Sequence, residues 1–403
     1  MSVNALDFNQ AATLLSNILY YAQGQPGTAP TVPTSEREFV SVGNTALLTG
    51  YDKLSTAISQ VLSETIFSVR PYSRKFQDLN VSEKLYGAIT RKLTVVDKPF
   101  ENDQKFDLVD GQTVDHYEVK KPLVLQINFY GANEFQDHIT IYTEQLDAAM
   151  TGSEQFGQFI TMIMQNMSDK IEQAHEGLAR MALNNLIAGS HYLGNTSGAS
   201  DTVVQVKLVS EFNTFTCASP ALTWAQIKAN PLTLNQFIRF AKSRMDAYSE
   251  LMTNRSALYH QNITGKTLMK HTPKANQRVY AVSEFLGLVD ALTLSTTFND
   301  DYVKFDAQPI DFWYDIHNPY AVDDSQFTIL KKDGTLDTIS NYSITAEVCA
   351  VMFDRDACGY ATVKHTTATT PLNAAGLYTN LYYHFTDQYW NSFEENCIVF
   401  TLD

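Results

Sequence analysis

The longest regular pattern in the chain runs from Glu154 to Ala188. Phe156, Ile160, Ile163, Met167, Ile171, Ala174, Leu178 and Met181 follow one another at steps of three or four residues, the helical period. Asn185 falls on the same face and breaks the stripe, and Gly157 and Gly177 each weaken a helix by about 1 kcal/mol relative to alanine. At about 1.5 Å of rise per residue the stretch predicts a rod of roughly 50 Å. Such a rod needs a long surface, such as a sheet, to lie on. The glycines and polar residues of "GSHYLGNTSGAS" (Gly189 to Ser200) predict where it ends.

Three shorter stripes also have helical spacing. Leu14, Leu15, Ile18, Leu19 and Ala22 form the first, and "GQPGTAPTVPT" (Gly24 to Thr34) stops it with prolines and glycines. The pair predicts a small helix on an extended tether, an arm that orders on a partner. Leu54, Ile58, Val61, Leu62 and Ile66 form the second, with Asp52 in place to cap its start. Leu234, Phe237, Ile238, Ala241 and Met245 mark the third, within Leu232 to Met252.

Elsewhere the period shortens to that of strands. "AITRKLTVV" and "YEVKKPLVLQINFY" are rich in β-branched and aromatic residues, and the polar stretch Asp97 to His116 between them contains a turn-forming Asp110-Gly111. Together they predict a long hairpin with a hydrophilic end, which has no core of its own. "TVVQVKLV" reads as a strand, "RVYAVSEFLGLVDAL" as strand, turn and short helix, and "EVCAVMFDRDACGYATV" (Glu347 to Val363) as two strands around an acidic turn. Near the carboxyl end, Tyr378, Tyr382, Tyr383, Phe385, Tyr389, Trp390, Phe393 and Phe400 crowd into one stretch.

Composition narrows the class. At 403 residues the chain predicts two or three domains, and 44% hydrophobic with 18% charged residues is a globular composition. A formal charge of -15 argues against a basic surface that grips phosphates. Cys217, Cys349, Cys358 and Cys397 show no C-x-x-C spacing, so buried free thiols are expected, with neither a disulfide framework nor a zinc site. The start lacks a signal-peptide pattern and no apolar run approaches a membrane span, so a soluble protein made inside a cell is expected.

Candidate chemistry is sparse. "TGKT" (Thr264 to Thr267) resembles the end of a phosphate loop, but His260 stands where that motif needs glycine. "FNDDY" (Phe298 to Tyr302), near Asp306 and Asp311, lacks the alternating ligands and glycine of a calcium loop. No two histidines sit at i,i+4 on a predicted helix, His384 reads as a packing histidine among aromatics, and Glu394 with Glu395 form an acid pair only by adjacency. No catalytic, cofactor-binding or metal-binding residue is therefore expected, and no cofactor.

The order of elements is more telling: an N-terminal arm, a long hairpin, a very long helix, a mixed α/β region and returning strands. This order resembles the major capsid proteins of tailed bacteriophages, with the Hong Kong 97-like fold, and is closest to the short-tailed Bacillus-type podophages. The specific residues are "NAAGLYTNLYYH" (Asn373 to His384), together with "AVMFDRDA" (Ala350 to Ala357) and "QFGQFITMIMQNM" at the start of the long helix.

The resemblance implies an α+β fold with an N-terminal arm (1-48), a first portion of the peripheral domain (49-84), an extended loop (85-135), a peripheral domain with the spine helix (136-232), an axial domain (233-345) and peripheral return strands (346-403). It implies a non-enzymatic major head protein that self-assembles into hexamers and pentamers of an icosahedral shell around phage DNA. It would be made in the host cytoplasm and end in the virion capsid. Scaffolding, portal and head-decoration proteins would be further partners, with no membrane and no sequence-specific DNA contact. An acidic inner wall would repel the packaged DNA. On this reading the late aromatics alternate between the face under the helix and the face toward neighbouring subunits. Two other readings stay open: a tail or portal-associated phage protein, and a cytosolic hydrolase with an unrecognised carboxylate site.

Overall fold

A computed structural model describes residues 7–24, 32–64, 75–80, 90–96, 109–111, 117, 123–129, 132–195, 204–262, 268–294, 307–330 and 335–403. The class is α+β, and the chain divides into two compact units that each collect separate segments. The first holds residues 1–88, 131–178 and 361–388; the second holds 89–130, 179–360 and 389–403.

The first unit opens with α1 (Phe8–Ala22), capped by Asp7, whose carboxylate accepts from the Phe8 amide while Gln10 reaches back to the Asp7 amide. Leu15 and Ile18 on this helix are fully buried, in one core with Phe39 of α2 (Glu36–Leu48) and with Leu54 and Ile58 of α3 (Tyr51–Glu64). The expected arm helix thus has its partner within its own chain, because the same stripe that reads as amphipathic also fits this bundle. The start of α3 is corrected too. Asp52 lies inside the first turn, and its Oδ1 accepts from the Leu372 amide at 2.5 Å instead of capping.

On this bundle lie β3 (Ala132–Tyr142), α4 (Thr143–Ala149) and the opening half of α5 (Ser153–Asn195). β3 pairs antiparallel with β11 (Tyr378–Asn391), from Tyr378 opposite Tyr142 to Gln388 opposite Ala132, and β10 (Cys358–Thr369) completes the three-stranded sheet. Burial alternates along β11. Leu381, Tyr383 and Phe385 are buried, and the first two join Phe156, Ile160 and Ile163 of α5 in the core. Tyr378, Tyr382 and His384 face the other way, where Tyr382 stacks on His138 at 5.1 Å and Tyr378 meets Tyr142 edge-on at 6.0 Å.

α5 is longer than its stripe implied, 43 residues in place of about 35. The expected stop at Gly189 is absent because that glycine packs against a ring. A Cβ there would collide with Phe393. Asn185, which broke the stripe, is buried and accepts from the Gln326 amide at 3.1 Å.

The second unit is built on a five-stranded sheet in the order β4-β12-β9-β5-β6: β4 (Gln205–Lys207), β12 (Cys397–Thr401), β9 (Val348–Asp354), β5 (Gln277–Val282) and β6 (Gln308–Ile310). The strand expected in "TVVQVKLV" is cut to three residues, since α6 (Leu208–Thr216) starts directly after it. α7 (Trp224–Ala229) and α8 (Pro231–Thr253) follow, the latter capped by Asn230 with proline in its first turn. β5 passes straight into α9 (Ser283–Leu294) without the expected turn. A hairpin of β7 (Val322–Leu330) and β8 (Leu336–Ile344) packs Phe327 and Tyr342 around Tyr192 of α5.

Candidate functional site

The expected long hairpin is present at its root. β1 (Thr90–Val96) pairs antiparallel with β2 (Leu123–Phe129), setting Lys92 opposite Ile127 and Thr94 opposite Leu125. Its hydrophilic end, Asp97 to His116, lies outside the described residues except for Val109 to Gly111. There Gly111 takes a φ of 90°, as the expected turn requires. The root has two unlike faces. Leu93 and Val124 are 62% and 54% exposed, whereas Lys92 and Thr94, two apart, turn inward.

Those inward residues meet the segment Ser392 to Asn396, which joins β11 to β12 and is buried throughout. Lys92 Nζ lies 2.5 Å from Glu395 Oε1 and donates to Ser392 Oγ at 2.9 Å. Lys270 Nζ donates to the same Glu395 oxygen at 2.7 Å. Beside them, Asn396 Nδ2 donates to Thr272 Oγ1 at 3.1 Å, which donates to Asp354 Oδ2 at 2.7 Å. His260 Nε2–H donates to the Leu268 carbonyl at 3.0 Å, with Nδ1 2.9 Å from Asn396 Oδ1.

The two adjacent glutamates are pushed in opposite directions. Burial raises Glu394 to about 7, against the weaker pull of Lys92 and Lys270. Burial also pushes Glu395 up, but two lysines on one oxygen outweigh it and hold that carboxyl below its ordinary value. Unlike pKa values in neighbouring carboxyls are what acid–base chemistry uses. Here, however, Glu394 and Glu395 are only 5% and 8% exposed, and among the described residues the chain's own lysines and strands surround them and leave no face for a substrate. What this cluster can do is fix the root of a ribbon that has no apolar core.

The other sequence candidates are not brought together. Thr264 to Thr267 and Phe298 to Asp306 lie outside the described residues. His384 is exposed on β11 and stacks on Tyr382; the packing histidine is His175, buried with Nε2 3.0 Å from Asp387 Oδ2. Cys349, Cys358 and Cys397 are buried free thiols, but Cys217 is exposed, at the left-handed cap of α6. Among the described residues no group of His, Cys, Asp and Glu is placed to hold a metal, and no helix is long and apolar enough to cross a membrane. Lys92 and Lys270 were missed by sequence reasoning. The only signal was Lys92 and Thr94 standing two apart, on one face of the predicted strand.

Comparison with known proteins covers nearly the whole chain. The model of a family described as Phi29-like phage major capsid protein matches residues 22–401. No curated protein sequence matches. Similar solved structures include the capsid of Staphylococcus phage Andhra, at 11% identity and a TM-score of 0.49 over 83% of this chain and 88% of that one. A chain from a structure of the head fiber and inner core protein gp22 of native bacteriophage P68 gives 13% and 0.48, over 84% and 88%. The capsid of cyanophage P-SCSP1u gives 11% and 0.42, over 84% and 91%.

Proposed function

Because the chain belongs to the Phi29-like phage major capsid protein family, and is thereby a structural protein of the phage head, we propose that it builds the shell by self-association through its hairpin. Copies would gather into hexamers and pentamers around DNA, in the manner of the Hong Kong 97-like fold. α5 would act as the spine helix, residues 85-135 as the extended loop and 233-345 as the core of the axial domain. The resemblance of Asn373 to His384 supports kinship with the short-tailed Bacillus-type phages. Scaffolding, portal and decoration proteins would be partners during and after assembly in the host cell.

The observation that carries the reading is the β1–β2 ribbon. Its root is pinned by Lys92 and Thr94, while Leu93 and Val124 on its other face are open. A two-stranded ribbon is marginal alone and needs a surface to lie on. A neighbouring copy supplies one, with the charges of Asp97 to His116 pairing across the boundary.

The test replaces Lys98 to Asp115 with a tight Asn-Gly turn. The shortened chain keeps its thermal unfolding midpoint, because no core residue is lost, and fails to close shells. Normal yields of stable shells from it would remove the hairpin from the assembly mechanism.

A further inference from the structure

Two features of the second unit are unexplained by its own packing. The first is a groove of about 920 Å³ between α6 and α8, lined by Glu211, Phe212, Phe215, Arg239, Phe240 and Arg244. Phe215 is 72% exposed although it lies 5.2 Å from the Phe240 ring, and Arg239 stands on the rim. The floor is rigid. Arg244 Nε donates to Glu211 Oε2 at 2.6 Å, and the Tyr248 hydroxyl donates to Glu211 Oε1 at 3.1 Å.

The second is a knob directly after β6. Tyr314 and Ile316 are 47% and 68% exposed, on either side of Asp315. Their backbone is held firmly. Trp313 is buried and donates from Nε1 to the Val348 carbonyl at 2.8 Å, Asn184 donates to the Trp313 carbonyl at 2.9 Å, and Arg180 covers the Phe312 ring at 4.1 Å. Asp315 Oδ1 accepts from the His317 amide at 3.0 Å. An aromatic and an aliphatic side chain presented on a fixed loop cost little ordering entropy on docking, which is how interface anchors are built.

Their placement in the sheet decides what can occupy the groove. β4 and β12 are parallel, β12 and β9 antiparallel, β9 and β5 antiparallel, and β5 and β6 parallel. The two edge strands, β4 and β6, therefore run the same way. α6 leaves the end of one, and the knob leaves the same end of the other. Four strand spacings of about 4.8 Å separate them, roughly 20 Å. One copy cannot fill its own groove with its own knob, but two copies side by side can, each using a different edge. Such a contact is heterologous and closes into a ring when repeated by rotation. Apolar surfaces match, and Asp315 on the knob is opposite in sign to Arg239 on the rim.

We propose that the Tyr314–Ile316 knob of one copy seats in the Phe215–Phe240 groove of the next, joining second units head to tail in a ring. The inference rests on the shell-building reading above and names the surface that performs it in the second unit.

The test uses the full chain with Cys217→Ser, Phe215→Cys and Ile316→Cys together, allowed to assemble and then oxidised. A denaturing gel shows a covalent ladder from dimers up to the closed ring, while the chains with Phe215→Cys or Ile316→Cys alone stay monomeric. As a second readout, Phe215→Asp and Ile316→Asp each lower ring-sized species by about tenfold or more. Mixing the two variants restores dimers but not rings, because each keeps one intact edge, and a folding defect would not produce that pattern. Assembled particles without the ladder, or rings of normal yield from both Asp variants, overturn the docking and leave shell building intact. A wild-type chain that stays monomeric at all concentrations overturns both.

Discussion

At Glu394 burial dominates and the proton is held to about pH 7, whereas one residue on, at Glu395, two lysines win and the carboxylate is ionised well below that. The sign of the first effect on stability follows from linkage. Between the ordinary value of 4.5 and about 7 the folded chain binds more protons at Glu394 than the unfolded one, so this residue's contribution falls as pH rises. Glu394→Gln removes the ionisation. Its stability relative to wild type is near zero at pH 4.5 and favourable by about 3 kcal/mol at pH 8. Urea midpoints of the two chains at both pH values check this, and a pH-independent difference contradicts it. Gly189 makes the complementary point about space. Alanine is the better helix former by about 1 kcal/mol, yet a Cβ at 189 runs into the Phe393 ring. Gly189→Ala therefore costs about 1–3 kcal/mol by overpacking, read as a lowered midpoint; a raised one means the ring yields freely.

Elements differ in how far the sequence alone reveals them. α5 is legible over most of its length because Phe156 to Met181 repeat at the helical period, and its last turns are hidden because Gly189 and Gly194 look like a stop. Both glycines instead admit close neighbours, Phe393 at one and Gln205 with Val204 at the other. α1 shows the opposite limit. Its stripe is plain, but a stripe does not say which surface covers it, and a proline-rich tether suggested a partner where the chain supplies its own core. Leu15→Ala decides between these. With Leu15 fully buried the substitution costs about 2–5 kcal/mol in the free subunit; a loss below about 0.5 kcal/mol means α1 is a loose arm. The hairpin root was legible as strands and illegible as a site. Lys92, Lys270 and Glu395 are distant in the chain, and only the register of β1 and the buried turn after β11 bring them together.

For the whole molecule, interleaving is the main physical lesson. Each unit draws on three stretches of chain, so single-domain boundaries could not be placed from composition shifts. The late aromatic run that looked like one feature serves two units: Tyr383 and Phe385 fill the first core, and Trp390, Phe393 and Phe400 fill the second. Its outward residues, Tyr378, Tyr382 and His384, remain a ribbon of partly open rings on β11. Exposed apolar residues also stand on the β1–β2 ribbon at Leu93 and Val124, in the groove at Phe215 and on the knob at Tyr314 and Ile316; contiguous exposed apolar surface is what an interface between copies would cover.

Whether this chain builds a closed shell by joining copies of itself is decided by electron microscopy of the purified protein across a concentration series, with and without a scaffolding protein from the same phage. Capsomer-sized rings are expected and, under one of the two conditions, closed icosahedral shells. A monodisperse monomer at every concentration under both conditions, or open tubes in place of shells, would contradict it.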